Sequence, residues 1–203
     1  MVHFVGAGSG AKDLITVRGM NLLKNADVII YAGSLVNPEL LEYAEDSCEI
    51  YNSAYMTLEE IIDVIKTADS ENKDIVRLHT GDSSIYGAIR EQIEQLNLYD
   101  ISWDICPGVS SFLAAAAAAG CEYTVPGISQ SLIITRMEGR TPVPEKEKMR
   151  ELAGHNTSMA VFLSSGLTKE LQDELLTGGY SEDTPCAICY KVSWPDEKII
   201  MTT

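Results

Sequence analysis

His79-Thr80-Gly81-Asp82-Ser83-Ser84-Ile85-Tyr86-Gly87-Ala88 follows the apolar run Ile75-Val76-Arg77-Leu78 and precedes Ile89–Leu98. The run is short enough for a buried strand, and the segment after the loop has the spacing of an amphipathic helix. A Gly-Asp at the carboxyl end of a strand, ahead of a helix, sits where open α/β sheets bind ligands. Gly81 lets another group approach the backbone closely, and Asp82 can cap the turn or accept hydrogen bonds. On residue chemistry alone two readings stand side by side: a ligand loop, and a satisfied strand-to-helix turn.

Outward from this loop the first hundred residues alternate between strand and helix patterns. Val2–Val5, Val28–Tyr31, Cys48–Tyr51 and Trp103–Ile105 read as strands, and Thr16–Lys24 and Pro38–Tyr43 as helices. Thr57-Leu58-Glu59-Glu60 has the capping-box pattern, with Leu58, Ile61, Ile62 and Ile65 at helical spacing behind it. Such alternation specifies a mostly parallel sheet with helices on its faces. After Pro107-Gly108, Ser110-Ser111 begins an alanine-rich helix to Ala119, and Gly120–Ser129 reads as a linker. A second, smaller alternation follows: Leu132–Thr135, Met159–Leu163, a helix over Thr168–Thr177, then Ala187–Val192. Lys198–Met201 opens another strand where the pattern stops, which reads as an α/β unit with its C-terminal part truncated. The expected organisation is an N-terminal α/β domain over 1–119, a linker over 120–129 and a C-terminal α/β domain over 130–203.

Composition excludes several classes. The chain has 203 residues and a net charge of −15, and binding nucleic acid requires a basic face instead. Five cysteines, an odd number in a chain with ample core, suit a reducing compartment better than a disulfide scaffold. Cys186-Ala-Ile-Cys189 has the spacing of a metal pair but falls in a strand-like run, where positions three apart face opposite ways. No bound metal is expected. Met1–Val5 leads into a glycine loop rather than a secretory leader, and Phe112–Ala119 falls far short of the roughly 20 residues a membrane span requires. A cytoplasmic protein with no membrane partner is expected. Thr141–Lys148, rich in proline and charge, reads as an exposed loop leading into a short helix.

Gly6-Ala7-Gly8-Ser9-Gly10-Ala11 fits the permissive dinucleotide fingerprint, yet the acidic residue the fingerprint needs is at the wrong end of the second strand, at Asp27. A plain tight turn accounts for the glycines better. His3, His79 and His155 are the only histidines, and no nucleophile elbow, zinc-protease or Walker pattern occurs. Residue chemistry therefore points to a reaction that depends on binding and alignment. His79 and Asp82 are the candidates for a proton acceptor, and no catalytic base can be named.

Gly6–Gly10 with Asp13-Leu14-Ile15-Thr16, His79–Ala88, and Pro107-Gly108-Val109-Ser110-Ser111 together resemble the tetrapyrrole methylases, the class III S-adenosylmethionine-dependent methyltransferases. Tyr31–Val36, Tyr55–Glu60, Ser129–Arg136, Gly139–Glu145 and Tyr190–Lys198 narrow the likeness to the branch that methylates precorrins in cobalamin synthesis. The resemblance implies two α/β domains with mostly parallel and mixed sheets, a cofactor cleft between them, and a homodimer. It implies S-adenosylmethionine as cofactor, S-adenosylhomocysteine as product, and cofactor contacts at Thr80, Gly81, Asp82, Ile85, Tyr86, Ser110, Ser111, Leu163 and Ala187. An anionic tetrapyrrole is the implied partner, near Gly8 and Ser9, with Arg136, Arg140 and Lys12 as its basic contacts and Arg18 a secondary choice. The chain departs from the family pattern at Ser9 and Ser83, where proline is usual, and at Ala11-Lys12, where Asp-Pro is usual. The rival readings are a sibling methylase acting at another ring carbon, a nucleotide-binding dehydrogenase using Gly6–Ala11, and a binding protein without turnover.

Overall fold

The computed structural model describes all 203 residues, which form two compact units. The first comprises 1–114 together with 191–198; the second comprises 115–190 and 199–203. The first unit contains β1 (Val2–Gly6), α1 (Val17–Asn25), β2 (Val28–Tyr31), β3 (Glu49–Asn52), α2 (Leu58–Ser70), β4 (Ile75–His79), α3 (Ile89–Leu98) and β5 (Trp103–Cys106). Helix α4 (Ser111–Ala119) starts in the first unit and ends in the second. The second contains β6 (Leu132–Arg136), α5 (Met149–Ala153), β7 (Ser158–Phe162), α6 (Thr168–Gly178), β8 (Cys186–Tyr190) and all but the first residue of β9 (Lys198–Thr202).

The five strands of the first unit form one parallel sheet in the order β3-β2-β4-β1-β5. Alternation along the strands sends successive side chains to opposite faces. Val28 and Ile30 of β2 join Val2, Phe4 and Ile75 against Ile61, Ile62 and Ile65 of α2 and Leu96 of α3. Ile29 faces the other way, with Val5, Val76 and Leu78, against Leu23 of α1 and Leu40. The helices begin where local chemistry predicts. Thr16 accepts from the Gly19 amide at the start of α1, and Thr57 and Glu60 complete a reciprocal capping box on α2. Pro38–Tyr43 forms a 3-10 helix rather than an α-helix, capped by Asn37.

The order of strands decides where a site can form. The chain leaves β1 toward β2 and leaves β4 toward β5, so connections from two neighbouring strands run in opposite directions. That is a topological switch point, and open α/β sheets bind ligands outside the carboxyl ends of the strands at such a point, here β1 and β4.

The second unit holds two separate strand pairs, the parallel β6-β7 and β8-β9. The stretch 120–129 is fastened to β7 by Ser158, whose hydroxyl donates to the Tyr123 carbonyl at 2.6 Å and whose amide donates to Ser129 Oγ at 2.9 Å. No helix is long and apolar enough to cross a membrane.

Candidate functional site at the carboxyl ends of three parallel strands

At the end of β1 the Ala7 amide donates to the His79 carbonyl at 2.7 Å, and Gly8 and Gly81 exchange backbone hydrogen bonds of 3.2 and 2.9 Å. Gly6, Gly81 and Gly108 meet backbone to backbone. A Cβ on Gly6 would lie 2.6 Å from both Gly108 Cα and the Gly81 oxygen, and one on Gly108 would lie 2.1 Å from that oxygen. Gly81 is left-handed (φ 62°), and its missing side chain would point at Ser110 Cα, 3.4 Å away. The loops at 80–82 and 110–111 therefore sit side by side, which a turn serving only its own strand and helix would not require.

Asp82 ties the two loops together. Its Oδ2 accepts from the Gly108 amide at 2.8 Å, and its Oδ1 accepts from the Ser84 amide at 2.9 Å and from the Ser84 hydroxyl. Partial burial raises the carboxyl pKa, but the bonds from Ser84 and Gly108 outweigh it and hold it below the usual aspartate value. Ser110 is buried, Thr80, Ile85 and Ser111 are half-buried, and Tyr86 is exposed. Tyr86 and Ala88 both adopt left-handed backbone (φ 55° and 49°), a conformation that costs a non-glycine residue of order 1–3 kcal/mol.

The Gly6–Ala11 loop is filled rather than open. A Cβ on Gly10 would lie 2.5 Å from the Trp194 indole, the Ala11 amide donates to Ser193 Oγ at 2.9 Å, and the buried Asn37 side chain donates to the Gly10 carbonyl at 3.0 Å. Asp27 accepts from the Asp74 amide at the amino end of β2. A dinucleotide pyrophosphate therefore has no bare glycine backbone to approach and no ribose carboxylate, which removes the basis of the dehydrogenase reading. That Asn37, Ser193 and Trp194 fill this loop is not legible in the sequence, because these contacts join residues up to 182 positions apart.

Three buried polar atoms in this region have no hydrogen-bond partner: Ser9 Oγ, Ser83 Oγ and His79 Nε2. An unmet buried polar group costs about 1–3 kcal/mol, so such groups mark where water or a ligand completes the structure. Two of the three are the serines that replace proline in the family pattern.

Burial, with a smaller contribution from the Arg77 charge, pushes the His79 imidazole down to a pKa of about 3. It is neutral at physiological pH and too weakly basic to collect a proton readily. An unfolded histidine takes up a proton near pH 6.5, so between pH 6.5 and 3 the unfolded state binds the extra proton. His79 therefore contributes stability that is complete above pH 6.5 and is lost as pH falls toward 3. In urea denaturation, His79→Phe should remove a slope of up to about 1.4 kcal/mol per pH unit from that window. Parallel profiles for the two proteins would show that His79 is already charged in the fold.

In the second unit, Leu163 directly follows β7 in left-handed backbone (φ 53°) and is 68% exposed. The buried Ser164 hydroxyl holds it there by donating to the Phe162 carbonyl and accepting from the Met137 amide. Ala187 is exposed on β8. Arg136 donates to the carbonyls of Met137, Thr141 and Pro142, closing its own loop, while Arg140 is exposed on that loop. Lys12 is paired with Glu42 at 2.6 Å, and that hydrogen bond raises its pKa. Of the basic candidates, Arg140 and Arg18 are exposed and available to an anion, and Lys12, held by Glu42, is the least available. A hollow of about 290 Å³ lined by Val28, Glu49, Asp63 and Lys73 lies at the amino ends of β2 and β3, away from these loops.

The model of the tetrapyrrole (corrin/porphyrin) methylases matches residues 1–203. A cobalt-precorrin-4 C(11)-methyltransferase of Methanocaldococcus jannaschii is 56% identical over 202 residues, covering 100% of this chain and 78% of the relative. The X-ray structure of a cobalt-precorrin-4 methyltransferase superposes with a TM-score of 0.97 at 48% identity, covering 100% of this chain and 84% of that one. A Thermus thermophilus uroporphyrin-III C-methyltransferase, solved with S-adenosylhomocysteine, matches at a TM-score of 0.81 and 25% identity, covering 99% of this chain and 82% of that one.

Proposed function

Because the chain belongs to the tetrapyrrole methylases, we propose that it transfers the methyl group of S-adenosylmethionine to C11 of cobalt-precorrin-4. The observation that carries this reading is the 56% identity, sustained along the whole chain, to an enzyme of that activity. Identity to the uroporphyrin-III enzyme is only 25%, which favours C11 over the carbons its siblings methylate.

The residues suit the cofactor. Thr80–Asp82 and Ser110–Ser111 offer main-chain groups and small hydroxyls on adjoining loops, with no bulky side chain between Gly81 and Ser110. The Asp82 carboxylate is fully engaged with Ser84 and Gly108, so its part is to hold these loops in place. Ile85 and Tyr86 supply apolar surface beside them. When bound, S-adenosylmethionine supplies a sulfonium methyl that is already electrophilic. The chain therefore has to align donor and acceptor and exclude water rather than activate a nucleophile.

The acceptor is an anionic macrocycle, and the protein carries a charge of −15. Distant charges are screened over about 8–10 Å, so local bases decide binding. Arg140 carries that role, presented by the loop that Arg136 closes, and Gly8 with the unpartnered Ser9 hydroxyl is assigned to the macrocycle side. A homodimer gives the apolar residues of α4, none of them buried, a partner surface.

The test is incubation with cobalt-precorrin-4 and S-adenosylmethionine carrying a 13C methyl, with NMR of the product. A single labelled methyl at C11 is expected. Label at another ring carbon would identify a sibling methylase, and S-adenosylhomocysteine binding without turnover would identify a binding protein.

A further inference from the structure

Arg77 lies in the middle strand of the parallel sheet, 5% exposed, and no carboxylate neutralises it. Its Nε donates to Gln92 Oε1 at 2.9 Å and its Nη1 donates to the Ile30 carbonyl at 3.0 Å. Gln92, itself 5% exposed on the first turn of α3, donates from Nε2 to the Ala88 carbonyl at 3.2 Å. Burying a guanidinium without an anion is costly, and apolar side chains of similar volume usually serve stability as well or better. Burial holds the guanidinium pKa down near 10, as that cost implies. A core this rich in Ile, Val and Leu has no packing need for arginine there.

What the arginine does hold is the span of the 80–88 loop. The loop leaves β4 just after Arg77 and enters α3 through Ala88, which has no side-chain cap and sits in left-handed backbone. Arg77 is on the strand before the loop, and it grips the helix turn after it. The two left-handed residues, Tyr86 and Ala88, need such an external hold, because nothing in their own sequence favours that conformation.

We infer that Arg77 and Gln92 are positioning residues for the cofactor loop, fixing the distance between β4 and α3 so that Thr80–Tyr86 is preformed for S-adenosylmethionine. This rests on the assignment of that loop to the cofactor. Wild-type binding of S-adenosylhomocysteine tests the assignment, and the variants test the inference.

Calorimetric titration with S-adenosylhomocysteine, well below the melting temperature, reads the effect. Arg77→Met combined with Gln92→Met removes the buried charge and its acceptor together. It should weaken binding about tenfold and raise KM for S-adenosylmethionine with kcat little changed, while melting within a few degrees of wild type. Gln92→Glu restores an acceptor for Arg77 and should bind within about threefold of wild type. Gln92→Asn keeps the amide but shortens its reach, and should also weaken binding about tenfold, which carries the test if the double variant does not fold. Wild-type affinity in the double variant or in Gln92→Asn would overturn the inference, as would equal losses in Gln92→Glu and Gln92→Asn.

Discussion

Gly108→Ala is expected to destabilise the first unit by about 3 kcal/mol or more, at the upper end for overpacking. The added methyl would lie 2.1 Å from the Gly81 oxygen and 2.7 Å from Gly6 Cα, and both neighbours are backbone. A side chain in the way can rotate; a strand end hydrogen-bonded to its neighbour cannot. The only relief is to part β1, β4 and β5 at their carboxyl ends, which also separates 80–82 from 110–111. Gly6→Ala meets the same three-way contact from the other side and should behave alike. Gly139→Ala, where no atom lies within 4 Å, should stay within about 0.5 kcal/mol of wild type. Urea midpoints for the three variants decide the matter, with S-adenosylhomocysteine titration of whatever folds. A Gly108→Ala protein as stable as the Gly139→Ala protein would mean that these strand ends are not packed as described.

The same contact shows which parts of the fold were open to inference from the sequence. Val28–Tyr31 and Ile89–Leu98 are read to the residue, and the Thr57–Glu60 capping box is read to its hydrogen bonds, because the signals are local. The two candidate loops are legible for a related reason: each follows an apolar strand and carries small or turn-forming residues. That Gly6, Gly81 and Gly108 touch is not legible, since it depends on the strand order, which places β1 between β4 and β5. Arg77 passes for a member of an apolar run, because its partners are a carbonyl 47 residues away and an amide on the next helix. Ser193 and Trp194 lie in a stretch that carries the resemblance, but their contacts with Ala11 and Gly10 are hidden in the same way. Charge misleads in the opposite direction: Lys12 and Arg136 read as free bases, but one is paired with Glu42 and the other closes its own loop.

Asp82→Ala should lower S-adenosylhomocysteine affinity by about 30- to 100-fold. One carboxylate bridges the two loops, with one oxygen on the Gly108 amide and the other on Ser84. A hydrogen bond to a charged group contributes about 1.5–3 kcal/mol, and each 1.4 kcal/mol is tenfold in affinity. The alanine variant also leaves the Gly108 amide without its acceptor, beside the backbone contact that positions Ser110. Asp82→Asn keeps one accepting oxygen and must give up one of the two tethers, so its loss should be intermediate. Ser84→Ala removes only the hydroxyl bond and should cost a few-fold. The folded carboxyl titrates below the ordinary value of 3.8, so its contribution is complete above that pH and disappears as pH falls through the lower, folded value. Stability profiles of wild type and Asp82→Asn should therefore keep a constant gap above pH 3.8 and converge as pH falls below it. The order alanine, asparagine, serine variant follows from one carboxylate spanning two loops. If Ser84→Ala loses as much as Asp82→Ala, the carboxylate serves only its own turn, and the link to Gly108 does nothing for the ligand.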